Sequence, residues 1–101
     1  MTREEALRAL ADSRKAIDAL DLQLLELLNR RTREVEEIGR AKESLAMPIY
    51  EPKREEDVFR NVIDHNGGPL TADAVKSIFE RIIDEMRTLQ RMRRKQGEKE
   101  C

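Results

Sequence analysis

The sequence predicts an all-α fold of three helices, long then short then medium. Three observations predict it. Apolar residues recur three and four apart from Thr2 to Ala46, a stretch with no proline and a single glycine, Gly39. Charged residues make up 41% of the 101 residues and aromatics 3%, a balance that favours helices over sheets. Helix-ending residues gather in two places only, Met47-Pro48-Ile49-Tyr50-Glu51-Pro52 and Asn66-Gly67-Gly68-Pro69.

The first helix opens on a capping-box pattern, Thr2 with Glu5 three residues later. Its stripe is Leu7, Leu10, Ile17, Leu20, Leu24, Leu28, Val35, Ile38 and Leu45. It should run to about Leu45, roughly 43 residues or ~65 Å. A compact domain of this size has a radius of gyration near ~13 Å. The rest of one chain is too short to cover such a rod. The expectation is therefore an intertwined homodimer with the long helices antiparallel, the simplest closed two-fold solution.

Pro52 suits the first turn of the second helix, expected from about residue 52 or 53 to Asn66, with Val58, Phe59, Val62 and Ile63 inward. Glycine beyond the helix end, then Pro69, is a strong stop. Thr71 is a good N-cap for the third helix, and Asp73 suits its first turn. That helix carries Val75, Ile78, Phe79, Ile82, Ile83, Met86, Leu89 and Met92, with Gln90 beside the apolar face. Order should fade after about Arg94, leaving a helical domain over 1–94 and a flexible charged tail over 95–101.

Net charge is −1, from 20 basic and 21 acidic residues, which argues against a nucleic-acid partner. No apolar run approaches the ~20 residues of a membrane span, and no signal-peptide pattern precedes the first helix. The one cysteine, Cys101, has no internal partner for a disulfide, so the expectation is a reduced, cytoplasmic protein. His65 has no second ligand at metal spacing, and no metal or cofactor is expected.

Three cations interrupt the apolar stripe of the first helix: Arg14, Arg31 and Lys42. A buried unpaired charge is too costly to keep, so each needs an anion. Asp21 and Glu55 are the nearest acids by spacing. One reading is that the cations pair with protein acids or snorkel to water. The other is a pocket for a small dianion, with Arg suited to bidentate carboxylate recognition and Lys to a point charge. Arg31 and Lys42 lie about three turns apart, ~16 Å, on one face; Arg14 is a further ~25 Å away and would reach them only from a second, antiparallel chain. The sequence has no nucleophile–base pair at such a site, so any reaction there would rest on electrostatic preorganisation and conformational capture.

The ordered set Arg14-x-x-Ile17-Asp18-x-x-Asp21, Leu24-Leu25-x-Leu27-Leu28-x-x-Arg31, Ile38-Gly39-x-x-Lys42, Pro48-Ile49-Tyr50-Glu51-Pro52-x-Arg54-Glu55 and Ile82-Ile83…Leu89-Gln90 closely resembles the all-α (AroQ) class of chorismate mutases, over about residues 6 to 92. The Asn66-Gly67-Gly68-Pro69 turn is similar to the version fused in some bacteria to DAHP synthase. The resemblance implies a Claisen rearrangement of chorismate to prephenate on a helical dimer with two equivalent sites. It implies that Arg14 from the opposite chain and Arg31 clamp the two carboxylates. Lys42 would contact a carboxylate and the ether oxygen, and Gln90 would donate to that oxygen. Glu55 would accept from the ring hydroxyl, Glu51 would contribute through its backbone, and Arg54 would support the polar wall. Val35, Ile38 and Ile83 would form the apolar wall. Met86 stands where the family often has a small polar residue, and Glu51 where aspartate is common. An isochorismate–pyruvate lyase, which shares fold and cation set, and a chorismate- or prephenate-sensing regulatory domain of a DAHP synthase remain open alternatives.

Overall fold

A computed structural model describes the backbone of residues 1–100 and the side chains of residues 1–97. Cys101, and with it the end of the expected tail, lies outside the described residues. The described chain is all-helical: α1 spans Arg3–Ser44, α2 Pro52–Asp64 and α3 Ala72–Glu100. It falls into two compact units, Met1–Glu34 and a second beginning at Val35.

The first unit is the larger part of α1. Thr2 caps it as expected: its Oγ1 accepts from the Glu5 backbone N–H at 3.1 Å, and its carbonyl from Ala6 at 2.9 Å. The Thr32 hydroxyl donates to the Leu28 carbonyl at 2.7 Å, the back-bond open to a threonine within a helix. Leu7, Leu10, Ile17, Leu20 and Leu24 are each about half exposed.

The second unit joins the end of α1 to α2 and α3, and α2 packs against α3. Val58, Phe59, Val62 and Ile63 of α2 and Phe79, Ile82, Ile83 and Leu89 of α3 are half-buried along the predicted stripes. Among the described residues, Val75 and Met86 are the only buried hydrophobics.

Helix α1 ends one residue before the predicted Leu45, by a device the sequence hides. Ala46 takes a left-handed conformation, φ 54°. The Met47 N–H then reaches back to the Lys42 carbonyl at 2.7 Å and the Ala46 N–H to the Glu43 carbonyl at 3.1 Å. This is a Schellman closure with alanine where glycine is usual.

The turn after α2 differs from expectation in the opposite way. Helix α2 stops at Asp64, and neither Gly67 nor Gly68 has a positive φ. Side chains close the turn instead. Asn66 donates to the Leu70 carbonyl at 2.6 Å and accepts from the Gly68 N–H at 3.2 Å, and His65 Nδ1 donates to the Asn61 carbonyl at 2.7 Å. Thr71 then caps α3 through the Ala74 N–H at 3.1 Å. Helix α3 continues past Arg94, through Gly97, to Glu100. The tail composition had suggested an earlier end.

Candidate functional site

Lys42 is the one buried charged residue among those described, 8% exposed. Its place in the last turn of α1 suits a cation, because the helix carbonyls there carry partial negative charge. The ammonium has two anchors. It donates to the Ile49 carbonyl at 2.8 Å and pairs with Glu51 Oε1 at 2.7 Å. An ammonium has three N–H donors, so one remains for a third acceptor.

The Glu51 pair corrects the idea that this cation is left without a protein counter-ion. By spacing, the nearest acids are Asp21 and Glu55. The counter-ion comes instead from the N-cap residue of α2, folded back by the short link. Glu51 therefore also uses its side chain, beyond the backbone contribution expected of it.

Gln90 of α3 is half-buried and donates through Nε2 to the Val35 carbonyl at 3.1 Å. One N–H of the amide remains. Gly39 faces it closely: a Cβ at Gly39 would meet Gln90 Cγ and Nε2 at 3.7 Å, ordinary contact. Gln90, Gly39, Ile49, Glu36, Arg40 and Arg94 help line a cavity of about 190 Å³. Ile49 links this cavity to Lys42 through its carbonyl. Arg93 is tied to Glu36 at 3.3 Å and Arg40 to Glu37, whose hydrogen bond and charge hold the Arg40 guanidinium above its ordinary pKa.

Glu55 is half-buried and also paired, to Arg87 of α3, so its carboxylate is fixed by the protein before any ligand binds. Met86 is buried, Val35 and Ile83 are half-buried, and Ile38 is exposed. Arg54 and Arg14 are exposed, with no hydrogen bond or ion pair among the described residues. Arg31 is half-buried. Arg14 and Arg31 belong to the first unit and the other predicted residues to the second.

Two groups escaped the sequence reading. Arg87 follows Met86 on the flank of the α3 stripe, where a lone cation reads as solvated. Arg94 lies one turn beyond Gln90, at the expected end of the helical domain. Its Nη1 donates to the Met47 carbonyl at 3.0 Å, and its Nη2 is buried without a hydrogen-bond partner among the described residues. Spacing alone held one signal: residues 83, 86, 87, 90 and 94 share one side of an α-helix.

Residues 13–91 match the family described as chorismate mutase type II. The chain is 37% identical over 78 residues to the bifunctional chorismate mutase/prephenate dehydratase of Neisseria gonorrhoeae, covering 77% of this chain and 21% of that protein. It is 33% identical over 86 residues to the protein of the same name from Aquifex aeolicus, covering 81% of this chain and 24% of that one. The chain thus spans about a quarter or less of these relatives. Among solved structures, a chorismate mutase from Thermus thermophilus (form II) superposes with a TM-score of 0.74 at 33% identity, covering 89% of this chain and 96% of that one.

Proposed function

The chain belongs to the chorismate mutase type II family, and from that premise we propose that it converts chorismate to prephenate in aromatic amino acid biosynthesis. The reaction is an intramolecular Claisen rearrangement. A flexible dianion must be folded into a chair, and negative charge develops on the ether oxygen as its bond breaks. No covalent intermediate or cofactor is required; preorganised donors and shape suffice.

The observation that carries this reading is the buried Lys42 ammonium, held from two sides with one N–H to spare. A donor fixed in advance is what a developing oxyanion requires, since it need not reorganise during the reaction. In this proposal the one remaining Lys42 N–H is shared between the ether oxygen and a carboxylate of the substrate. Gln90, aimed by its bond to the Val35 carbonyl, donates its remaining N–H to the same oxygen. Arg14 and Arg31 take the two carboxylates, Arg14 reaching the site of a second copy. Glu55 accepts from the ring hydroxyl, the Glu51 backbone assists, and Arg54 supports the polar wall. Val35, Ile38 and Ile83 provide the apolar wall, and Met86 fills space where other members place a hydroxyl.

The homodimer is part of the same proposal. Leu7, Leu10, Ile17, Leu20 and Leu24 stand half exposed, and burying the rest of each side chain stabilises by about 1 kcal/mol. That is roughly 5 kcal/mol per chain from one stripe, enough to favour association. An association with DAHP synthase rests on the 66–69 turn alone and is tested by copurification. The second enzymatic activity named in the two bifunctional relatives is prephenate dehydratase.

The test is to add purified protein to chorismate and follow its loss with product identification, and to offer isochorismate in parallel. Prephenate from chorismate supports the reading. Pyruvate and salicylate from isochorismate would instead favour the lyase. A folded protein that leaves both substrates intact would refute both.

A further inference from the structure

Arg87 sits on α3 and Glu55 on α2, 32 residues apart in sequence, and the Arg87 Nη2 donates to Glu55 Oε2. Both side chains are largely enclosed, 19% and 21% exposed. The guanidinium is fixed on two further sides. Asp84, one turn earlier on α3, lies 3.6 Å from Nη1, and the Tyr50 ring stacks on the guanidinium carbon with its centroid 4.8 Å away. Tyr50 comes from the link that also supplies Ile49 and Glu51 to Lys42. One short segment thus braces a cation on α1 and another on α3.

From this arrangement we infer that Arg87 is a positioning residue for substrate recognition, holding the Glu55 carboxylate for a ring hydroxyl. The inference rests on the proposed reading of Glu55 as the hydroxyl acceptor. It goes beyond that reading by assigning a task to Arg87 and, through stacking, to Tyr50.

Three physical points support it. A free glutamate has three rotatable torsions and would have to be ordered at each binding event. Here the ion pair has already ordered it. A carboxylate has two oxygens with about four acceptor positions, so a bond to Oε2 leaves Oε1 available to a hydroxyl. Charge matters as well. An isolated carboxylate would repel a dianionic guest, whereas one bonded to a guanidinium has part of its charge offset and still accepts a hydrogen bond. An open cleft of about 430 Å³ lies against the pair, lined in part by Tyr50, Phe59 and Arg91. It gives the side chains room to be substituted without clashing with the core.

The experiment is a double-mutant cycle on the full chain, with chorismate as the varied substrate. Arg87→Met should lower kcat/KM about tenfold, mostly through KM, as expected for loss of one hydrogen bond to a charged group. Glu55→Ala should lower it at least as much. In the Glu55→Ala background, adding Arg87→Met should change kcat/KM less than about twofold, because the residue it positions is gone. Arg87→Lys, which keeps the charge but not the planar fork, should recover part of the loss. If Arg87→Met does not fold, Arg87→Gln and Tyr50→Leu in the same cycle replace it, with smaller losses of the same sign.

Independent, multiplicative losses in a wild type that turns over chorismate would overturn the inference and leave the proposed function standing. So would a folded Arg87→Met with the wild-type KM. A Glu55→Ala variant with unchanged kinetics would overturn the reading of Glu55, and the inference with it. An inactive, folded wild type would remove the proposed function as well.

Discussion

Replacing Lys42 by methionine separates the task of this side chain from its packing. Methionine keeps an unbranched stem of similar length in the space that Lys42 fills, and removes only the ammonium. Two effects then compete. On stability, the change deletes a 2.8 Å bond to the Ile49 carbonyl and a 2.7 Å ion pair to Glu51. Hydrogen bonds to charged groups contribute about 1.5–3 kcal/mol. The Glu51 side chain is 38% exposed and regains water once unpaired, which places each of the two losses near the lower bound, about 3 kcal/mol together. On activity, removing one preorganised donor at a developing oxyanion costs about 10²–10³ in rate, or ~3–4 kcal/mol of transition-state stabilisation. A domain of ordinary stability, about 5–15 kcal/mol, survives a loss of about 3, so a folded but nearly inactive protein is expected. Turnover is followed by loss of chorismate, and the fold by circular dichroism and thermal melting at a fixed protein concentration. A folded Lys42→Met within threefold of wild-type kcat/KM would refute the assignment of Lys42 to the breaking bond.

Three further outcomes follow from the same structure. Ala46 holds φ at 54°, a conformation that strains an L-residue by roughly 1–2 kcal/mol; after allowing for glycine's freedom when unfolded, Ala46→Gly should stabilise by about 0.5–1 kcal/mol and raise the melting temperature by several degrees. A lowered melting temperature would contradict the strain argument. Gln90 is an amide and needs no proton to donate, so the rate should be flat from about pH 6 to 8, whereas Gln90→Glu should be active only as pH falls and the carboxyl becomes protonated; an acid-side optimum in the wild type would count against Gln90. Placing a charge on the exposed stripe, as in Leu20→Asp, should convert a dimer to a monomer in sedimentation equilibrium and abolish turnover with it; an active monomer would rule out a shared site.

Much of the fold was legible because the signals were local. A 3.6-residue period, proline at the α1–α2 link, and threonine at positions 2 and 71 mark helices without reference to distant residues. Both junctions were placed to within two residues, but their closing bonds were not legible, because residue type does not fix φ. Gly67 and Gly68 marked the stop, but the Asn66 side chain supplied the closing bonds. Ala46 promised nothing, yet it takes the left-handed geometry, because the Schellman bonds to Lys42 and Glu43 close the helix end there. The candidate cations were legible as interruptions of an apolar stripe. Their partners were not, because pairing depends on how the chain folds back. Glu51 lies off every helical stripe, and Arg87 meets Glu55 only once α2 has packed on α3.

The Lys42–Glu51 pair bears on how a site can be basic enough for a dianion and still have its lysine neutralised at rest. A carboxylate that bonds the third N–H of the ammonium lies about 4.5 Å from the Glu51 oxygen, given tetrahedral donors and bonds near 2.8 Å. Two like charges at that distance repel by about 0.9 kcal/mol in a water-like dielectric. Partial exposure of Glu51 favours that lower limit. Glu51 thus fixes the ammonium at some expense in affinity. Glu51→Gln keeps an acceptor for Lys42 and removes the repulsion. Its KM for chorismate should fall about fivefold, the ratio that 0.9 kcal/mol represents. The kcat should fall as well, because a neutral amide holds the ammonium less firmly than a carboxylate does. A raised KM in folded Glu51→Gln would mean that Glu51 draws the substrate's contacts together rather than opposing its charge. The ion pair would then be part of the binding surface itself.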